Sequence, residues 1–208
     1  MEYKNLLIAL SNFSKSLATN VSYDKKNINQ ITASVNAWKK AYKNSPVIKY
    51  KIGDVYKIEF GLAYKPELAF EHRGIIIGKK DNLYYVVPIT TLNSKININS
   101  YHPTDNRTGN RKYFLMKAYD NDFLDHDSVI KCNDIKTVSY LRINRKVGSI
   151  SDELLQEITY ITFKNIFPTI DYKYNNLMNK NIKIKKEIAE IKCSESFIID
   201  SSDKTVEA

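Results

Sequence analysis

Two short apolar runs on either side of a polar break, within residues 73–91, constrain the fold of this chain most strongly. The runs at 75–77 and 83–87 are rich in β-branched and aromatic residues, which is typical of the two strands of a hairpin. Arg73 precedes the first strand and Thr90 follows the second. Because the outer ends of an antiparallel hairpin lie side by side, we expect both side chains to face one pocket.

A guanidinium fork and a small hydroxyl supply hydrogen-bond donors of the kind that a phosphate group requires. The pair Arg73 and Thr90 therefore suggests a phosphate site at the open end of the hairpin. The alternative is a surface arginine next to a threonine that simply favours the strand conformation.

The net charge of +9 over 208 residues, with a pI near 9.3, favours a polyanionic partner. Nucleic acid is the first interpretation, and an anionic membrane surface is the second. Residues 1–52 hold nine lysines and two acidic residues, so most of the excess charge lies there. This segment is either an electrostatic arm for nucleic acid or a helical cover with a solvated lysine face, and a generally lysine-rich composition would also explain the charge.

Cys132 and Cys193 form no CxxC motif, and the three histidines lack ligand spacing. We therefore expect neither a metal site nor a cofactor. Two cysteines do not make a disulfide scaffold, which fits a reducing compartment. Residues 1–17 lack the pattern of a secretory signal, and no apolar run reaches the length of a membrane-spanning helix. The expected protein is soluble and cytoplasmic, with no membrane partner.

Residues 1–45 are predicted to form two amphipathic helices. Apolar residues recur at helical spacing, in the first helix at Leu6, Leu7, Leu10, Phe13 and Leu17, and in the second at Ile28, Ile31, Val35, Trp38 and Tyr42. Asn27 is expected to cap the second helix, and the Asn-Ser-Pro sequence at 44–46 is expected to end it. Because Trp38 lies on the apolar stripe, we interpret it as a core residue rather than a platform for stacking bases.

From residue 47 the apolar period changes to two, and residues 51–60 alternate as a half-buried strand does. Gly53 indicates a bulge or tight bend at the start of this strand. A further strand is predicted at 112–118, residues 125–130 lead into another short strand, and residues 134–143 are predicted to form a strand followed by a turn. Ser151 is expected to cap a helix that ends before Pro168. About five short strands closed by a helix predict an α+β fold with a small antiparallel barrel.

A long polar segment, residues 93–111, interrupts the predicted barrel. Loops of this length in compact domains are often functional. The segment combines three basic residues, Lys95, Arg107 and Arg111, with the aromatic ring of Tyr101. This composition is suited to binding single-stranded nucleic acid. A plain disordered insertion is the alternative.

Steps of three and four residues between apolar positions, from 170 to 198, indicate a coiled-coil helix, with Asn181 and Glu195 interrupting its seam. A helix folded back on the N-terminal pair is the alternative, and residues 201–208 are expected to be a frayed tail. The predicted segments are a helical extension at 1–46, a barrel with its closing helix at 47–168, and a C-terminal helix with tail at 169–208.

Several short segments follow one another in the order and spacing of one family. They are Gly-Asp-Val-Tyr at 53–56, Arg73 with the strand at 75–77, Val-Val-Pro-Ile-Thr-Thr at 86–91, Asp-Ser-Val-Ile at 127–130, Ile-Lys-Thr-Val at 135–138, Leu-Arg-Ile at 141–143 and Ile-Ser-Asp at 150–152. Over roughly residues 48–167 the chain resembles the MazF/PemK toxins, which are endoribonucleases of type II toxin–antitoxin systems.

The resemblance implies an SH3-like barrel of the MazF/PemK/CcdB type, a homodimer that binds single-stranded RNA along its groove, and a cognate antitoxin protein. It also implies metal-independent cleavage, in which the 2′-hydroxyl attacks the adjacent phosphate and leaves a 2′,3′-cyclic phosphate and a 5′-hydroxyl. Arg73 and Thr90 match the family's catalytic pair. Arg73 would stabilise the phosphorane charge and shuttle a proton, and Thr90 would hold a non-bridging oxygen.

The chain departs from the family at the start of the second strand. Gly74 stands where the family usually has proline, and the loop before Arg73 lacks the usual glycine-rich element. Glu71, His72 and Thr91 are auxiliary candidates, because Glu71 or His72 can supply a base that the family pattern does not require. His72 fits equally well as an ordinary loop histidine. The candidates for RNA binding are Lys79, Lys95, Tyr101, Arg107, Arg111 and Lys136.

Two other functions fit the same pattern. A non-catalytic barrel could bind nucleic acid or poison a protein target such as gyrase, as related gyrase-directed toxins do. Alternatively, the helical flanks carry the function and the barrel only supports them structurally. Cleaved RNA ends after expression would favour the nuclease over both.

Overall fold

A computed structural model describes residues 2–19, 25–41, 48–63, 67–93 and 99–202. The chain divides into two compact units, residues 1–162 and residues 163–208. The first unit holds two N-terminal helices and the whole β-sheet, and the second holds the long C-terminal helix.

Two helices precede the sheet, α1 (Glu2–Thr19) and α2 (Lys25–Ala41), as the apolar spacing predicts. In α2, Ile31 is buried, and the Ser34 hydroxyl donates a hydrogen bond of 2.8 Å to the Glu59 carboxylate of the first strand. Asn27 lies inside α2 rather than at its N-cap, so that prediction is wrong. The predicted helix end at 44–46 lies outside the described residues.

The prediction that Trp38 is a core residue is also wrong, because its side chain is 63% exposed. Ile28 and Val35 on the same stripe are exposed as well. Periodicity identifies the apolar face of a helix, but it does not say how far along that face a partner covers it.

The sheet has eight strands rather than the five or so expected. They are β1 (Asp54–Glu59), β2 (Glu71–Lys80), β3 (Leu83–Thr91), β4 (Ser100–Tyr101), β5 (Asn110–Met116), β6 (Ser128–Lys131), β7 (Lys136–Ser139) and β8 (Ile143–Ser149). Their order is β4-β5-β6-β3-β2-β1-β8, and β7 also pairs with β3. The pairs are antiparallel apart from the short β4–β5 pair. The chain thus has the α+β, barrel-like fold that the sequence predicts.

Strands β2 and β3 form the predicted hairpin, joined by a turn at Asp81 and Asn82. Asp81 adopts φ 54°, a left-handed conformation that aspartate tolerates better than most residues. Gly53, just before β1, has φ 87°, which confirms the tight bend predicted there. Both turns therefore follow directly from local sequence chemistry.

Helix α3 (Asp152–Ile166) begins after Ser151, whose hydroxyl accepts a hydrogen bond of 3.2 Å from the Leu154 backbone N–H. This confirms the predicted cap. Ile158 and Ile161 of α3 are buried against the sheet. The helix therefore closes one face of the sheet.

Successive residues of the central strands face two separate hydrophobic clusters. The first cluster includes Val55, Ile75, Val87, Ile89, Ile130, Ile158 and Ile161. The second includes Tyr50, Ile58, Phe60, Ile76, Tyr84, Val86 and Val138. Arg73 is two residues before Ile75, so alternation places it on the side of the first cluster, just beyond the end of the core.

Helix α4 (Pro168–Ser202) belongs to the second unit and begins after a break at Phe167. Within this unit Lys164 lies 3.6 Å from Asp171. The apolar positions predicted as a seam are 48–61% exposed at Ile170, Tyr174, Leu177, Ile184, Ile188 and Ile191. The helix is confirmed, and its pairing as a coiled coil stays a prediction. No helix in the described part of the chain is both long and apolar enough to cross a membrane.

Candidate active site

The register of the hairpin brings the predicted residues together. Arg73 pairs with Ile89, so the start of β2 lies beside the end of β3, as predicted. On the other side of β2, Arg73 pairs with Lys57 of β1. On the other side of β3, Thr91 pairs with Ser128 of β6. Four strands therefore contribute side chains to one end of the sheet.

These strand ends enclose a pocket of about 250 Å³. It is lined by Lys57, Glu71, His72, Arg73, Ile89, Thr90, Thr91, His126 and Ser128. Thr90, which the resemblance assigns to catalysis, is partly exposed here, and so is Arg73. Because Thr90 follows Ile89, the cross-strand partner of Arg73, alternation turns the Thr90 side chain to the opposite face of the sheet from Arg73, whereas Thr91 shares the face of Arg73. Every lining residue except Ile89 is polar or charged, and the charged ones carry both signs, which suits an anionic substrate and proton transfer.

The guanidinium of Arg73 is held by an ion pair. Its Nη2 donates a hydrogen bond of 2.6 Å to Oδ2 of Asp125. The arginine side chain is 21% exposed, whereas the aspartate is 80% exposed. The hydrogen bond from Arg73, followed by its charge, lowers the pKa of Asp125. The exposed carboxylate is thus a partner that an incoming phosphate can displace at small cost.

A second contact joins the loop before β6 to the end of β3. Nε2 of His126 lies 3.2 Å from the Thr91 hydroxyl oxygen, within hydrogen-bond distance. The backbone oxygen of His126 accepts a bond of 3.1 Å from the Ser128 hydroxyl. The Thr91 contact therefore holds the exposed imidazole at the pocket, and the Ser128 hydrogen bond fixes the backbone that carries it.

Glu71 and Lys57 form the other wall of the pocket. The carboxylate of Glu71 lies 3.4 Å from Nζ of Lys57 and accepts a hydrogen bond of 2.9 Å from the Asn144 side chain. Glu71 is two residues before Arg73 on β2, so both side chains project to the same side of the sheet. A carboxylate that acts as a proton acceptor can therefore lie beside the guanidinium.

His72 occupies a different environment from its neighbour Arg73. It pairs with Ile58, which belongs to the second hydrophobic cluster, so strand alternation turns its side chain away from that of Arg73. Burial, and then the positive charge of Lys131, lowers the pKa of His72. An imidazole held neutral on the far side of the strand fits an ordinary packed histidine.

Close packing explains why glycine stands at position 74. A Cβ there would lie 2.5 Å from Cγ1 of Val86 and 3.1 Å from Cδ1 of Ile58. Real Cβ atoms do not approach neighbours so closely, so only glycine fits without repacking of the second cluster. The departure from the family pattern is thus a packing requirement next to Arg73.

The residues predicted to bind RNA do not gather at this pocket. Lys79 is exposed near the turn of the hairpin, at the opposite end of β2. Lys136 pairs with Val86 and lies 3.4 Å from Asp134. Arg107 donates a hydrogen bond of 2.7 Å to the Pro103 backbone oxygen. Lys95 lies outside the described residues.

The structure counts against Tyr101 as a stacking platform. Its side chain is buried, its ring packs edge-on against Phe114, and its hydroxyl donates a 2.9 Å bond to Glu157. The guanidinium of Arg111 lies 4.6 Å from the ring centre. The polar composition of residues 93–111 concealed the short strand β4, and Tyr101 is a buried residue of that strand.

Sequence reasoning missed Lys57, Asp125, His126 and Ser128. Each comes from a strand or loop distant in sequence, and only the register of β1 and β6 brings them to the hairpin. The one usable signal was Asp125-His126 immediately before a predicted strand, since strand ends commonly carry site residues. In the described parts of the chain, no group of three or more His, Cys, Asp or Glu side chains is placed to hold a metal ion.

The sequence of residues 51–161 matches the family of PemK-like, MazF-like toxins of type II toxin–antitoxin systems. This match covers more than half of the chain. The protein belongs to the PemK/MazF toxin family. The family is known for endoribonucleases, and the match contains all nine residues that line the pocket.

Solved toxin structures resemble the chain in part. The Mycobacterium tuberculosis toxin MazF-mt6 is 15% identical, with 55% of this chain and 96% of that chain covered and a TM-score of 0.38. MazF from Deinococcus radiodurans is 11% identical, with 58% and 96% covered and a TM-score of 0.42. An endoribonuclease from a mycobacterial species, in complex with its cognate antitoxin, is 13% identical, with 59% and 95% covered and a TM-score of 0.38. No curated protein matches the sequence.

Proposed function

We propose that this protein is an endoribonuclease that cleaves single-stranded RNA without a metal ion. The products are a 2′,3′-cyclic phosphate and a 5′-hydroxyl. The observation that supports this most strongly is the pocket at the open end of the β2–β3 hairpin, which both Arg73 and Thr90 line. Membership of a toxin family known for endoribonucleases supports it independently.

The chemistry needs little from the protein, because RNA carries its own nucleophile. When the 2′-oxygen attacks the adjacent phosphorus, the phosphorane gains negative charge on its non-bridging oxygens. Arg73 stabilises that charge with a fork of N–H donors, and the Thr90 hydroxyl holds one of the oxygens. Stabilisation by fixed donors at the point where charge develops is usually the largest single contribution to such catalysis.

Glu71 is the group best suited to accept the proton of the attacking hydroxyl. It lies in the pocket on the same side of β2 as Arg73, and its position is fixed by Lys57 and Asn144. Thr91 positions His126 through their 3.2 Å contact. Lys57 adds a second positive charge for the RNA backbone.

We further propose that the active form is a homodimer that binds RNA along its groove, and that a cognate antitoxin protein inhibits it. Membership of the toxin–antitoxin family supports the antitoxin partner, and the homodimer is what the resemblance to the family implies. The cytoplasm, where messenger RNA is available, is the corresponding compartment.

Cleavage of a long RNA by the purified protein in excess EDTA tests the proposal. We expect cleaved ends that carry a 5′-hydroxyl and a cyclic phosphate, mapped by primer extension and by end-specific ligation. Arg73→Ala should lower the cleavage rate by about 10²- to 10³-fold, because one donor to the developing charge is lost.

Lys80→Ala is the matched control for Arg73→Ala. It removes a positive charge from the same strand, about 23 Å away along the extended backbone. Its cleavage rate should equal that of the unchanged protein. RNA that stays intact without added metal, or an Arg73→Ala variant as active as the Lys80→Ala variant, would overturn the proposal.

A further inference from the structure

The imidazole of His126 stands at the pocket in a position to exchange a proton with bound RNA. It is exposed, it lines the pocket together with Arg73, and its Nε2 lies 3.2 Å from the Thr91 hydroxyl. It belongs to the loop that also presents Asp125 to the guanidinium of Arg73. The same short loop thus places an imidazole and a carboxylate at the mouth of the site.

The other two histidines of the chain are less suited to this role, although His72 also lines the pocket. His102 is buried, and its Nδ1 lies 2.9 Å from the Thr104 hydroxyl and accepts a 3.2 Å bond from the Asp105 backbone N–H. Burial and Lys131 lower the pKa of His72, which lies on the opposite face of β2 from Arg73. Among three histidines, His126 alone combines exposure with a side chain directed to the pocket.

Cleavage requires a proton donor that the catalytic pair does not provide. The 5′-oxygen leaves as a strongly basic alkoxide unless it is protonated as the P–O bond breaks. The resemblance implies that Arg73 also shuttles a proton, but a guanidinium remains charged at all ordinary pH values, so Arg73 stabilises charge far better than it releases a proton. A threonine hydroxyl is also a very weak acid. Imidazole, in contrast, gains and loses a proton near neutral pH.

We infer that His126 is the general acid of the ribonuclease reaction and gives its proton to the departing 5′-oxygen; this rests on the activity proposed above. The 2′-oxygen forms its bond to phosphorus and its proton passes to the Glu71 carboxylate. The bond between phosphorus and the 5′-oxygen breaks, and the electron pair on that oxygen takes the proton of the His126 imidazolium. Exchange with water then returns a proton to His126 and removes one from Glu71.

The surroundings of His126 suit this task. The Thr91 contact fixes the ring without burying it. The adjacent Asp125 carboxylate keeps its negative charge, since its pKa is lowered first by the hydrogen bond from Arg73 and in part by the charge of His126. Lys57, Arg73 and Glu71 are the other charged groups of the pocket.

The experiment compares two RNA oligonucleotides with the full-length protein. One has the natural 5′-oxygen at the scissile linkage, and the other has sulfur in that bridging position. A thiolate leaves without protonation, because the pKa of a thiol, about 8.5, is far below that of an alcohol. His126→Asn, which retains hydrogen-bonding capacity toward Thr91 but transfers no proton, should cleave the oxygen substrate about 10²- to 10⁴-fold more slowly than the unchanged protein. It should cleave the sulfur substrate at close to the unchanged rate.

Arg73→Ala is the control that separates acid catalysis from a general loss of the site. It should slow both substrates equally, because phosphorane charge develops whichever atom leaves. If His126→Asn slows both substrates equally, or slows neither, His126 is not the general acid. If the unchanged protein cleaves neither RNA, the proposed function itself fails, and this inference fails with it.

Discussion

The guanidinium of Arg73 already has an anionic partner before any phosphate binds. Its 2.6 Å hydrogen bond to Asp125 occupies donors that a scissile phosphate needs, and the carboxylate is 80% exposed. Exposed ion pairs contribute little to stability because solvent screens them, so RNA can displace this one. The pair orients the arginine toward the pocket but also competes with the substrate.

The Asp125→Asn variant should therefore bind RNA more tightly than the unchanged protein. We expect the KM for a single-stranded RNA to fall by roughly 1.5- to 5-fold, which corresponds to the loss of a competing surface ion pair. Steady-state cleavage kinetics at constant low salt measure this. Asp122→Asn, which removes an exposed charge from the same loop, is the matched control. An equal fall in KM for both variants would mean that only overall charge matters.

Individual site residues were predictable only where they share one hairpin. Arg73, Thr90 and Glu71 flank two recognisable strands, and the register of an antiparallel hairpin brings strand ends together. Lys57 and His126 reach the same pocket through long-range pairing of β1 and β6. Nothing in local sequence encodes which residues of distant strands face each other, so Lys57 could not be found, and the only local signal for His126 was its position just before a strand.

At the level of whole elements, β8 shows why the sheet was only partly predicted. Residues 144–146 are consecutive, polar and exposed, so the strand lacks the alternation that identified β1. It is held to β1 by backbone pairing and by Asp54, whose side chain is 6% exposed. Lys146 and Ser149 of β8 donate bonds of 2.7 and 2.8 Å to that carboxylate. The strand therefore depends on a charge cluster that no periodicity reveals.

Asp54→Asn should destabilise the barrel by about 1–3 kcal/mol at pH 7, the usual loss for hydrogen bonds to a charged group. Burial favours a raised pKa for Asp54, but the hydrogen bonds from Lys146, Ser149 and Tyr56 outweigh it and lower the pKa. A carboxylate with a lowered folded-state pKa adds stability that is present above its unfolded pKa, about 3.9, and is lost as pH falls through the folded value.

Urea unfolding of both proteins between pH 7 and pH 3 measures this difference. The gap in unfolding free energy should be constant down to about pH 5 and should narrow below about pH 4, where the protonated Asp54 becomes equivalent to asparagine. A gap that stays unchanged to pH 3 would show that Asp54 acts through shape rather than charge. Lys112→Gln removes a charge from the exposed start of β5 and should leave the profile unaltered.

For the molecule as a whole, the net charge of +9 matters more for binding than for folding. The pocket contributes Lys57 and Arg73, but most of the excess positive charge lies in residues 1–52. An RNA strand that reaches the pocket therefore meets a field produced by the whole chain. Because counterions are released when cations neutralise phosphates, this binding should weaken steeply with salt.

We expect the Kd for a 2′-O-methyl RNA, which cannot be cleaved, to rise at least about tenfold between 50 and 200 mM NaCl. Fluorescence anisotropy over a series of salt concentrations gives the slope of log Kd against log salt. Each phosphate contact in a single strand contributes about 0.7 to that slope, so Lys57→Gln should reduce it by about 0.7 if Lys57 contacts one phosphate. A salt-independent Kd would mean that apolar contacts hold the RNA, and the basic charge of the chain would then need another partner.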